Sequence, residues 1–255
     1  MSTPPDIAGA SSLLRPMACN ADSPQFVPNP ADEADSLPRL AFFDVDGTLL
    51  RGDCGVLFAL WCVQRGLATR REVGSLVRWL VRRAIRPSRD AEVAAAKLAL
   101  LEFQVRVGEE HAHALFEACF GSWLLPRQRA PVVTLLKAHQ LRGPVFLITA
   151  NLRCFAVRWG KLLDVPEENC FGVEGERVHG RLTAMLRGPV LIGAERARLV
   201  ERLMQRYGAA PAHCAAFGNS HHDLLMLECV DHPHVVCPSR ALRRTAIRAG
   251  WTVIA

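Results

Sequence analysis

Leu40-Ala41-Phe42-Phe43-Asp44-Val45-Asp46-Gly47-Thr48-Leu49 is the stretch on which the fold turns. Four apolar residues run without interruption and stop at an Asp-x-Asp-Gly-Thr turn. A short apolar run closed by a polar turn reads as a strand buried on both faces, the kind that parallel sheets contain. Two later strands end in the same manner. Residues 144–149 run into Thr149-Ala150-Asn151, and residues 213–217 run into Gly218-Asn219-Ser220-His221-His222-Asp223. Ligands of an open parallel sheet sit beyond the carboxyl ends of its strands. If these three strands are neighbours, their carboxylates, hydroxyl and amide meet in one crevice, an oxygen-rich set that suits Mg2+.

Helical and strand patterns alternate from Pro126 onward. Helices are expected over 130–140, from 150 to 163, over 195–207, 223–229 and 240–249, with strands over 234–237 and 251–254 and a hairpin excursion within 171–186. That alternation implies a parallel sheet with helices on both faces, an α/β, three-layer Rossmann-like core. Residues 53–125 carry helical patterns only, punctuated by Gly66, Pro87 and Gly108. The expected organisation is therefore a core of 39–52 and 126–255, interrupted by a helical insertion over 53–125. Residues 1–38 hold seven of the sixteen prolines and read as a disordered lead-in.

The chain has 255 residues, half of them hydrophobic, which is enough for one large core and excludes global disorder. Its net charge of +6 points to anionic partners. Nine cysteines without framework spacing, and no secretory or import pattern at the N-terminus, lead to the expectation of reduced thiols in a cytoplasmic protein. The His- and Cys-rich run over 213–237 fits no tetrahedral zinc spacing. No aromatic platform or recognisable module suggests nucleic acid as a partner.

The motifs together are more specific than their parts. Asp44-x-Asp46-Gly47-Thr48-Leu49 after an apolar strand, Thr149 at a second strand end, and Asn219-Ser220-x-x-Asp223 at a third resemble the signature of the haloacid dehalogenase superfamily. The early helical insertion, Gly193-Ala194-Glu195-Arg196 and the ending from Cys237 to Trp251 resemble its phosphoserine-phosphatase-like branch (subfamily IB). The resemblance implies an inserted helical (C1-type) cap and a Mg2+-dependent phosphomonoester hydrolase acting on a small phosphorylated metabolite. It makes Asp44 the nucleophile that forms an aspartyl-phosphate, and Asp46 the acid and base. Thr149, the neighbouring Ala150 and Asn151, and Arg196 would bind the phosphoryl group. Asp44, Asp46 through its carbonyl, Asn219 and Asp223 form the expected metal site, with Asp223 set behind the first ligands.

Two positions depart from the family pattern. Arg196 stands where a lysine is usual, and Asn219 where an aspartate is usual. Asparagine keeps an oxygen ligand and loses a charge, so weaker Mg2+ binding is expected. Asp53 occupies the position where phosphoserine phosphatases bind the substrate amine, and Lys97 on a cap helix is a candidate for the substrate carboxylate. Phosphoserine-like and histidinol-phosphate-like esters both fit this outline.

Three alternatives stand beside it: a phosphotransferase sharing the intermediate, a non-catalytic phosphate-binding protein, and a phospholipid-headgroup phosphatase at a membrane surface. The last follows from residues 65–89, which hold eight arginines and one acid, Glu72, interleaved with apolar residues. The ordinary reading of such a run is a solvated helix face; the sharper one is peripheral contact with an anionic membrane. Likewise Asp44 and Asp46 alone read as turn residues, and Ser220 with Asp223 reads as a helix-capping box.

Overall fold

The first strand, β1 (Leu40–Asp44), is buried at all five positions, and its side chains alternate between two apolar layers. The computed structural model describes residues 39–85 and 90–255. The expected disordered lead-in, residues 1–38, and the arginines at 86 and 89 lie outside the described residues. Ala41 and Phe43 join one layer; Leu40 and Phe42 join the other. This is the period of two that a strand imposes, with both faces covered.

Six more strands complete the sheet: β2 (Val145–Leu152), β3 (Cys170–Val178), β4 (Arg181–Arg187), β5 (Cys214–Gly218), β6 (His232–Val236) and β7 (Thr252–Ile254). Their order is β4-β3-β2-β1-β5-β6-β7. All neighbours are parallel except β3 and β4, which form the antiparallel hairpin expected within 171–186. His179 and Gly180 turn that hairpin with φ of 49° and 78°, the left-handed pair a tight two-residue hairpin needs. β1 lies in the centre, flanked by β2 and β5, so the three motif-bearing strand ends are adjacent.

Four helices follow β1: α1 (Cys54–Gln64), α2 (Arg70–Ile85), α3 (Asp90–Val107) and α4 (Glu109–Cys119). Helices α5 (Ala130–Gln140), α6 (Arg153–Leu163), α7 (Gly193–Arg206), α8 (Leu224–Glu228) and α9 (Arg240–Ala249) flank the sheet. On one face Phe43 packs with α5 and α6 through Leu136, Phe155 and Trp159, and the same cluster runs on into Phe58, Leu101 and Phe116 of the insertion. The apolar packing runs unbroken across the expected boundary at 52/53. On the other face Phe42 and Phe146 meet Leu199, Val200 and Leu203 of α7. Phe43 and Phe217 stack across β1 and β5 at 4.1 Å, an aromatic pair worth about 1 kcal/mol beyond its buried area.

Two strands differ from the sequence expectation. β2 continues three residues past Thr149, and its register against β3 shifts between Ile148 and Leu152. A bulge of this kind re-aims side chains at a strand end. β6 begins at His232 rather than at 234, through Pro233. Its partner β7 pairs only from His234 onward, so one side of β6 is open where proline lacks its N–H. No helix among the described residues is long and apolar enough to cross a membrane.

Candidate active site

Asp44 ends β1 with its carboxylate almost completely buried. Oδ2 accepts a hydrogen bond from Thr48 Oγ1 at 2.8 Å, and Oδ1 pairs with an Arg196 guanidinium nitrogen at 2.8 Å. Thr48 follows Asp44 by four residues, in the turn that also folds Leu49 N onto Val45 O at 3.0 Å. The same Arg196 nitrogen reaches Asp223 Oδ1, and Arg196 Nε donates to Leu191 O at 3.0 Å. Arg196 is 2% exposed. It belongs to the stripe of α7 that carries Leu199, Val200 and Leu203, so burying that stripe drives its side chain toward the strand ends.

Asp223, expected among the metal ligands, has both oxygens engaged by protein donors. Besides Arg196 it accepts from Asn219 N at 3.0 Å, Ser220 N at 2.8 Å and Ser220 Oγ at 3.0 Å. The capping box expected at Ser220 and Asp223 is formed, and it doubles as the mount for Arg196.

Asp46 faces the other way, toward the insertion. Oδ1 accepts from Cys54 N at 2.7 Å, and Oδ2 accepts from Thr149 Oγ1 and from Asn151 Nδ2 at 2.9 Å. Thr149 and Asn151 are two residues apart on β2 and therefore share a face. The fully buried Asn151 is the hub of this side. Its amide nitrogen also donates to Asp53 Oδ1 at 3.1 Å, its oxygen accepts from Lys97 Nζ at 2.5 Å, and its backbone N–H donates to Thr149 Oγ1 at 2.9 Å. Asp53 caps α1 by accepting from Val56 N at 3.0 Å. Ala150, between Thr149 and Asn151, is half-buried at the same strand end.

All nine expected site residues thus lie around the ends of β1, β2 and β5. Sequence reasoning assigned no part to Thr48, or to Arg129, whose Nε donates to Gly47 O at 3.3 Å. The spacing of four from Asp44 to Thr48 was the signal for the first; nothing in the sequence marks the second. Lys97, a weak candidate in sequence, is buried in α3 against Asn151.

The electrostatics follow from crowding. Burial raises the Asp44 pKa well above the usual carboxylate range, repulsion from Asp223 and Asp46 adds to this, and Arg196 and Thr48 oppose it. Burial and the charge of Asp53 raise Asp46, against Lys97, Thr149 and the Cys54 N–H. Burial works against the Arg196 charge, but Asp223 and Asp44 outweigh it and hold the guanidinium protonated.

The donor set suits Mg2+. The four carboxyl groups of Asp44, Asp46, Asp53 and Asp223 outnumber the cations Arg196 and Lys97 in the same hydrogen-bonded groups, an excess of acid that a divalent ion would offset. Among the described residues no three His, Cys, Asp or Glu side chains converge on one point. Mg2+ takes one or two carboxylates and keeps its water, so a sparse set is in character. Gly47, at φ 89°, has no Cβ, and a Cβ there would overlap the Asn219 side chain. That glycine lets the Asn219 amide close on the Asp46-Gly47 backbone, beside the expected carbonyl ligand.

Known proteins resemble the chain in sequence and in fold. The family model of the haloacid dehalogenase-like hydrolases matches residues 41–228. A phosphoserine phosphatase of Mycobacterium tuberculosis is 28% identical over 257 residues, covering 97% of this chain and 83% of that protein. A phosphoserine phosphatase of Archaeoglobus fulgidus is 27% identical over 190 residues, covering 74% of this chain and 50% of that one. A protein of unknown function from Bordetella pertussis has the same fold with a TM-score of 0.75, at 21% identity, over 86% of this chain and 99% of that one. A substrate-bound phosphoserine phosphatase matches at a TM-score of 0.61 and 15% identity, over 85% of this chain and 92% of that one. The chain belongs to the haloacid dehalogenase-like hydrolase family, on its phosphoserine-phosphatase-like branch.

Proposed function

We propose that the chain is a Mg2+-dependent phosphomonoester hydrolase working through an aspartyl-phosphate on Asp44. One observation carries this reading: two carboxylates two residues apart are held in different environments. Asp44 is turned to Arg196 and Thr48, whereas Asp46 is turned to Thr149, Asn151 and the Cys54 N–H. Paired carboxyl groups with separate surroundings take separate roles.

The steps follow. An Asp44 oxygen attacks phosphorus, the bond from phosphorus to the ester oxygen breaks, and Asp46 gives that oxygen its proton. Burial and the charge of Asp53 shift the Asp46 pKa upward, the direction that favours a proton donor. A water then attacks the phosphorus, Asp46 takes its proton, and the bond to Asp44 breaks. Arg196 holds the attacking carboxylate and places a positive charge beside the transferred group. Asp223 orients Arg196 and the Asn219 backbone. Thr149 Oγ1 and the Asn151 N–H, bonded here to Asp46 and to Thr149, would turn with the Ala150 N–H to the phosphoryl oxygens when substrate binds. Asp44, the Asp46 carbonyl and Asn219 would hold Mg2+, whose charge screens nucleophile from phosphate.

A phosphoserine-like substrate is a second reading, favoured by Asp53 and Lys97 standing on either side of Asn151 as an acid and a base. The test is hydrolysis of a panel of phosphomonoesters with Mg2+, run beside Asp44→Asn. Release of inorganic phosphate by the native chain alone is the expected result. Transfer to added alcohols in place of water identifies a phosphotransferase. No turnover of any ester identifies a phosphate-binding protein.

A further inference from the structure

A cavity of about 720 Å3 lies between α1, α2 and α3. That is the size of a pocket for an organic ligand rather than for an ion. Its inner end belongs to the site already described. Gly55, Lys97 and Leu100 line it, and all three close on Asn151: Lys97 donates to it, and a Cβ on Gly55 would overlap both Asn151 and Leu100. Asn151 in turn bonds Asp46. The cavity therefore starts one side chain from the carboxyl group that protonates the leaving oxygen. In an in-line displacement the attacking and leaving oxygens lie on opposite sides of phosphorus. With Asp44 attacking, the substituent on the leaving oxygen extends from Asp46 toward this space.

The walls beyond that point are apolar: Phe58, Ala59, Leu76, Trp79, Ala96 and Phe103. The lining also holds polar groups: Arg71, Arg78, Arg82 and Glu102 are exposed, Glu92 is half-buried, and Glu72 is paired to Arg106 at 3.1 Å. Resting on the phosphomonoesterase reading, we infer that the organic group of the substrate is an extended apolar chain received by this cavity. A compact, charged group such as serine leaves these walls unfilled, and filling them stabilises binding by about 0.8 kcal/mol per methylene. The outer face of α2 is consistent with a bilayer as the source of such a chain. Val77, Val81 and Ile85 recur every four residues there, 52%, 54% and 79% exposed, beside Arg78 and Arg82.

The experiment compares kcat/KM for ethyl, hexyl and decyl phosphate, as monomers in solution with Mg2+, and for phosphoserine. The expected result is a rise of at least about tenfold from ethyl to hexyl, carried by KM, with hexyl above phosphoserine. Ala96→Phe, which fills the cavity, should bring the hexyl-to-ethyl ratio toward one; the ratio is internal to each enzyme, so partial misfolding cancels. A second arm presents phosphatidic acid in phosphatidylglycerol vesicles and in neutral detergent. Turnover on vesicles, reduced by Arg78→Gln with Arg82→Gln, supports a bilayer source; preference for the soluble esters supports a free one. A flat chain-length series, or preference for phosphoserine, overturns the inference and leaves the hydrolase reading standing. No turnover of any ester overturns both.

Discussion

The strand-end site and the helical insertion hold their functional residues by opposite means. At the strand ends Asp44, Arg196, Asp223 and Lys97 are buried, Asp46 and Asp53 are half-buried, and all six are tied into hydrogen-bonded groups. Arg196 joins Asp44 to Asp223, and Asn151 joins Asp46 to Asp53 and Lys97. In the insertion, α1, α2 and α3 surround a large cavity with an apolar inner wall of Phe58, Ala59, Leu76, Ala96 and Phe103. Chemistry that depends on placing charges tolerates little movement, and sheet ends supply rigid positions for it. Selection of an apolar group needs only volume and surface, which helices provide without fixed polar partners. The two regions should therefore fail differently when altered.

The largest effect is expected at the nucleophile. Asp44→Asn should lower kcat by about 10^4-fold or more, on the scale seen when other covalent enzymes lose theirs. A cavity residue has no such lever on the chemical step, so comparing kcat between Asp44→Asn and Ala96→Phe sharpens the contrast. Next comes stability. Arg196→Met leaves Asp44 and Asp223 buried without their shared cation, and removing one partner of a buried pair costs about 3–5 kcal/mol. Calorimetry should show a fall in Tm of about 10 °C or more. A smaller fall would mean that the site is softer than its hydrogen bonds imply, and closer in kind to the insertion.

How much of this was legible in the sequence depends on the same contrast. β1 announced itself because four apolar residues met two acids at a fixed spacing. Asn219 was legible for the same reason, directly after the end of β5, whereas Thr149 and Asp223 were legible through their motifs although β2 runs on past the first and the second lies in the turn beyond β5. Arg196 was legible through its motif, though not its grip on two carboxylates at once, because that depends on how α7 lies on the sheet. Asn151 was placed near substrate, but its role as a hub needs Lys97, 54 residues earlier in the chain. The cavity left no mark at all. Alanines and leucines on three helices read as ordinary core until their packing is known. The extension of β2 to Leu152 was missed because β2 carries two extra residues between Ile148 and Leu152 against Phe171 and Val173 of β3, and that pairing cannot be read from the local sequence.

A third prediction concerns the metal. Asn219→Asp adds the charge that this position otherwise lacks, and the Mg2+ concentration for half-maximal activity should fall about tenfold, or about 1.4 kcal/mol. Unchanged dependence would count against Asn219 as a ligand.

The smallest effect lies beneath the site. His139 and His234 pack on Phe217, at 5.4 Å and 4.5 Å between ring centroids. Burial pulls both imidazoles down to about 4 from the usual value near 6.5, with Arg142 adding to the effect on His139 and His232 on His234. The folded state therefore keeps them neutral where the unfolded chain binds protons. Stability from this source is complete above about pH 6.5 and is lost as the pH falls toward 4. His139→Leu should flatten the decline of Tm across that window. An unaltered slope would place the acid sensitivity in other groups.

The central claim is that Asp44 carries the phosphoryl group. It is tested most directly by acid-quenching the enzyme during turnover of a radiolabelled phosphomonoester and mapping the label. The account predicts phosphate on the peptide containing Asp44, labile to hydroxylamine and absent from Asp44→Asn. Turnover with no label on that peptide, or full activity in Asp44→Asn, would contradict it.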